Sequence, residues 1–138
     1  MKRRTAREKA LQAIFQIDMN ETTPGEAIQY VLDGKSNDDY LEKLVVGVAE
    51  QRDEIDSILK DHLEKWSIER LANVDRNIMR LAIYEMIYCE EDVPVNVAIN
   101  EAIEVAKIFG DDESSKFVNS VLSKVKQSIE KSSLKDKK

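Results

Sequence analysis

Lys2, Arg3, Arg4, Arg7 and Lys9 set five cations against one anion, Glu8, within the first nine residues. The chain of 138 residues has a net charge of −6, so everything after Lys9 carries −10. The end of the chain from Lys124 is itself net +4, which leaves −14 on residues 10–123. An acidic body with a basic start is the pattern of a protein that meets a polyanion at one place, and equally that of a merely solvated terminus. The chemistry open to such a cluster is charge-assisted hydrogen bonding, for which the guanidinium fork matches a phosphate.

Two further spots suit a nucleic acid. Phe15 follows the basic start, and Lys116 stands beside Phe117. Single-stranded RNA is held in this way, with bases stacked on rings and phosphates met by cations. Spacing alone assigns both phenylalanines to a core.

Groups for catalysis are few. His62 is the only histidine and lies on a charged helical stretch, where it reads as a surface residue. Cys89 is the only cysteine, which excludes an internal disulfide and suits a reducing cytosol. With no second histidine to serve as a base, it reads as a buried structural thiol. The four glycines, at 25, 34, 47 and 110, form no phosphate loop. Asp111, Asp112 and Glu113 do not have the spacing of a calcium loop. No cofactor is implied, and the reading is a binding protein, not an enzyme.

The elements that must position these groups are helical. Glycine and proline total six, too few for the turns of an all-β fold. No apolar run approaches the roughly 18 residues of a membrane span. No secretory signal is evident, so a cytoplasmic protein is expected. From Thr5 to Met19 the apolar residues recur at three- and four-residue steps. Arg7 lies on the line of that stripe, one turn before Leu11. An unpaired guanidinium is rarely buried, so the first turn is expected to overhang the core or to be matched by a partner.

Thr23-Pro24-Gly25-Glu26 opens a second helix as a capping box, stopped near Gly34. Asn37 or Asp38 caps a third, and Ile55 to Leu63 mark a fourth. A break follows at Trp66 and Ser67. Asp75 is expected to cap a fifth helix, apolar nearly all round and therefore central. Pro94 precedes a sixth helix over about Val95–Phe109, stopped at Gly110. Ser114 is read as the cap of the last. Asn100 and Asn119 are read as structural, each bonding a neighbouring backbone. A single domain over 1–131 is expected, with a disordered basic tail over 132–138.

These residues carry a resemblance. Arg3-Arg4-Thr5-Ala6-Arg7 resembles the arginine-rich motif of the NusB family of bacterial transcription antitermination factors. Leu81-Ala82-Ile83-Tyr84-Glu85 is similar to the family's central helix. Val93-Pro94, Val97-Ala98-Ile99-Asn100-Glu101-Ala102, Ala106 to Gly110 and Lys116 to Leu122 resemble its C-terminal signature. Ser120 departs from it, since the family commonly has glycine there.

The resemblance implies an all-α fold of about seven helices in two small packed bundles. It implies binding of boxA RNA in ribosomal RNA leaders together with the ribosomal protein NusE, alongside NusA, NusG and RNA polymerase. RNA contacts would fall to Lys2, Arg3, Arg4, Arg7, Lys9, Phe15, Lys116 and Phe117. Acids such as Glu69, Asp75 and Glu85 would face basic NusE. Family members occur as monomers and as homodimers. The same domain also begins a ribosomal RNA methyltransferase, a reading that needs a cofactor domain downstream. The alternative outside this family's activity is a helical protein–protein adaptor without specific RNA binding.

Overall fold

The structure is a computed structural model that describes residues 1–136, with side chains described through 132. Among the described residues there are seven α-helices and no strand. They are α1 (Arg3–Asn20), α2 (Pro24–Leu32), α3 (Asp39–Glu50), α4 (Arg52–Asp61), α5 (Asn73–Tyr88), α6 (Val95–Phe109) and α7 (Asp112–Asp136). A 3-10 turn, Ile68–Arg70, fills the break before α5. Among the described residues no helix is long and apolar enough to cross a membrane.

The helices form two groups. α1 packs on α2 and α3, while α6 packs on α5 and α7. α5 joins them, touching α1 and α3 on one side and α4, α6 and α7 on the other. Its residues from Asn77 to Met86 are all buried, as expected of a helix apolar nearly all round. Gly47 lets α3 approach closely, because a Cβ there would overlap the Tyr84 ring of α5.

Local signals act as the sequence predicts at several ends. Thr23 Oγ1 accepts from Glu26 N at 3.2 Å, and Asp38 Oδ1 accepts from Leu41 N at 3.0 Å. α2 ends on Asp33 in the left-handed region (φ 50°), with Gly34 following at φ 82°. Two caps differ. α5 begins at Asn73, which puts Asp75 inside the first turn and not ahead of it. Asp111, not Ser114, caps α7, its Oδ1 accepting from Ser114 N at 2.8 Å. α7 continues to Asp136, past residue 131 where the sequence reading ends the domain; residues 137 and 138 lie outside the described residues.

Charged residues also sit inside the fold. Asp18 on α1 accepts from Arg52 of α4 at 3.1 Å and from Arg76 and Asn77 of α5 at 2.7 and 3.1 Å. Arg80 adds a contact at 3.4 Å and makes a two-pronged pair with Asp56 at 2.8 and 3.0 Å. This network ties α1, α4 and α5. Burial alone would raise the Asp18 pKa, but the bonds from Arg76 and Asn77 and the nearby arginine charges pull it down to about 2.

Candidate nucleic-acid interface

α1 opens with cations in its first turn and no acid to balance them. Cations there oppose the helix dipole, so their placement works against local stability. The structure divides the five into two sets. Lys2, Arg3 and Arg4 are exposed, whereas Arg7 is buried and Lys9 half-buried.

Arg4 forms a fork with Glu101 of α6, Nε to Oε2 at 3.0 Å and Nη2 to Oε1 at 3.1 Å. The Arg3 guanidinium lies 4.5 Å above the Tyr40 ring of α3, and its Nη1 donates to the Asp92 carbonyl at 3.4 Å. The exposed arginines therefore reach from α1 to Tyr40 of α3 and to Glu101 of α6.

Beneath them, Arg7 Nε donates to both Glu85 oxygens, at 2.9 and 3.1 Å. Tyr40 Oη donates to Glu85 Oε2 at 2.5 Å. Burial disfavours the Arg7 charge, but the Glu85 bond and charge outweigh it, and the net pKa rises. Burial, then Glu85, likewise pushes the Tyr40 hydroxyl up. This corrects two expectations. Arg7 needs no outside partner, because Glu85 supplies one from within the chain. Glu85 cannot face a second protein, because its side chain is 2 % exposed and spent on Arg7 and Tyr40. Lys9 is also turned inward, with Nζ donating to the Val31 carbonyl at the end of α2 at 3.1 Å. It caps a helix end instead of joining the cationic surface.

The aromatic residues lie elsewhere. Phe15 is eleven residues beyond Arg4, about 16 Å along the helix axis. It lines an apolar groove with Leu11, Tyr30, Val74 and Phe109. Phe117 lines a separate cleft of about 380 Å³ with Trp66, Arg70 and Asp75. Lys116 is exposed beside it. Asp75 Oδ1 is buried without a hydrogen-bond partner among the described residues, and Glu69 is exposed on the 3-10 turn. Val74 and Asp75 are neighbours, so groove and cleft flank the first turn of α5.

Asn100 and Asn119 are exposed and do not fix backbone register; Asn119 instead accepts from Ser123 Oγ at 3.2 Å. His62 is half-buried, its Nδ1 paired with the Ile58 carbonyl and its Nε2 with Ser128 Oγ, both at 2.7 Å. Both ring nitrogens are thus engaged, Nδ1 within the end of α4 and Nε2 in joining α4 to α7. Cys89 is buried, which raises its thiol pKa. Sequence reasoning missed Tyr40, Glu101 and Trp66 as parts of these surfaces. The available signal was weak: Glu101 interrupts an apolar helix, and Trp66 falls in a break between helices.

Comparison with known proteins bears on this geometry. The transcription antitermination protein NusB of Bacillus licheniformis is 58 % identical over 130 residues, covering 94 % of this chain and all of that one. NusB of Bacillus subtilis is 58 % identical over 132 residues, covering 96 % of this chain and all of its own. A crystal structure of the antitermination factors NusB and NusE in complex with dsRNA contains a similar chain, with TM-score 0.83 and 33 % identity over 91 % of this chain and 96 % of that one. The NusB family model matches residues 4–127, and with those relatives it establishes that this chain belongs to the NusB family, whose members are transcription antitermination proteins.

Proposed function

We propose that the chain suppresses premature termination by binding boxA RNA of ribosomal RNA leaders, together with NusE and with NusA, NusG and RNA polymerase in the same complex, in the cytoplasm. The observation that carries this reading is the exposed cationic turn Lys2, Arg3 and Arg4, held over the junction of the two helix groups. The relative solved with NusE and dsRNA supports both partners.

In this reading the first turn of α1 holds phosphates, and bases stack on Phe117 and Trp66, which line one cleft with Arg70, while the exposed Lys116 next to Phe117 in the chain supplies a further charge. Arg7 positions the turn from below. The apolar groove of Phe15, Tyr30 and Phe109 offers a protein partner a docking surface; the acids for a basic partner would be Glu69, exposed on the 3-10 turn, and Asp75, next in the chain to Val74 of the groove. The protein acts by binding. The fully engaged ring of His62 and the buried Cys89 support that, since neither is poised for reaction.

Fluorescence anisotropy with a short labelled boxA RNA and a scrambled control, with and without NusE, tests the proposal. Arg3→Ala plus Arg4→Ala should weaken binding roughly ten-fold at near-physiological salt. The double change should also lower the slope of log affinity against log salt by about 1.4, at about 0.7 per cation on single strands. An unchanged slope would move the RNA site away from α1. Equal, weak binding of boxA and scrambled RNA beside tight NusE binding would favour the adaptor.

A further inference from the structure

The fork between Arg4 and Glu101 uses the geometry by which an arginine takes a phosphate. Resting on the RNA-binding reading above, we infer that Glu101 is an internal competitor for RNA: its carboxylate occupies Arg4 in the free protein and must be displaced by a backbone phosphate.

The two partners are unequal. The Arg4 side chain is 55 % exposed and that of Glu101 only 19 %. Glu101 Oε2 also lies 4.0 Å from Arg7 Nη1, and Arg7 is locked on Glu85. The carboxylate is thus held from below while the arginine rides on the surface. Arg4 has two positions available, closed on Glu101 or swung out to a phosphate, and Glu101 keeps its place in both. An exposed ion pair is weak and screened by salt, so the exchange is easy. The carboxylate also repels an approaching phosphate, which adds to the competition. The consequence is a built-in brake: contact with RNA must outbid Glu101, which penalises loose contacts more than well-seated ones.

Glu101→Gln keeps the shape and one acceptor for Arg4 but removes the charge. In the labelled boxA titration with the full chain it should bind about three- to five-fold tighter than wild type, the size expected for release of an exposed pair. Glu104 lies one turn along α6, where it pairs with Lys107 at 3.4 Å. Glu104→Gln makes the same charge change and should alter affinity by less than about two-fold. The gain from Glu101→Gln should vanish when Arg4→Ala is added.

Equal or weaker binding by Glu101→Gln would overturn the inference, as would an equal gain from Glu104→Gln or a gain that survives Arg4→Ala. Absence of boxA binding by wild type and all variants would instead overturn the RNA reading on which the inference rests.

Discussion

Glu85→Ala should destabilise the fold by about 3–5 kcal/mol, the usual cost of removing one member of a buried ion pair. The change strands the Arg7 guanidinium, whose side chain is 6 % exposed, and leaves the Tyr40 hydroxyl without its acceptor. Denaturant unfolding measures it. Replacing both partners by apolar residues, Arg7→Met with Glu85→Leu, should cost far less than Glu85→Ala alone, because no buried charge is left over. A small loss for Glu85→Ala would show that water reaches Arg7, and Arg7 would return to the list of RNA contacts. The same geometry warns against reading Arg7→Ala as an RNA-contact variant, since its first effect is on stability.

Asp18→Ala should cost a comparable amount, roughly 3–4 kcal/mol, because Arg76 and Arg80 are 12 and 4 % exposed and share its carboxylate. Here pH supplies an internal check. The Asp18 pKa is held at about 2 in the folded protein, below the ordinary aspartate value of about 3.9. The lowered value means that its stabilisation, about 2–3 kcal/mol, is fully present above about pH 5 and is lost as pH falls toward 2. Wild type and Asp18→Asn should therefore converge in stability between about pH 5 and 2. Parallel curves over that range would show that Asp18 is not the group responsible.

Both networks explain what could be read in the sequence and what could not. Apolar periodicity predicts the central place of α5, the span of α6 and the general course of the other helices. The Thr23 and Asp38 caps follow from short-range chemistry. What fails is the fate of an ionisable residue on an apolar face. Arg7 and Glu85 are 78 residues apart, and periodicity marks Arg7 as an anomaly without naming its partner. An outside partner and an inside one leave the same local signature at Arg7, and Glu85, expected at a protein interface from the resemblance alone, is found in the core. Asp18 stands on the α1 stripe after Ile14, and Arg80 lies between Met79 and Leu81; their pairing too depends on how helices cross. The site is legible to the same degree. The cationic turn is evident from composition, while its division into exposed Lys2, Arg3 and Arg4 and inward Arg7 and Lys9 needs the fold.

Trp66, the single tryptophan, is 56 % exposed at the mouth of the Phe117 cleft. The molecule thus carries its own optical reporter, set at a surface and not in the core. Unfolding changes the water around that indole less than it would around a core tryptophan, so its emission should report unfolding only weakly. A base stacked in the cleft would quench it at once. Titration with unlabelled RNA should dim the native protein's emission, and the dimming should be lost in Phe117→Ala, which gives a readout of the cleft that needs no added dye.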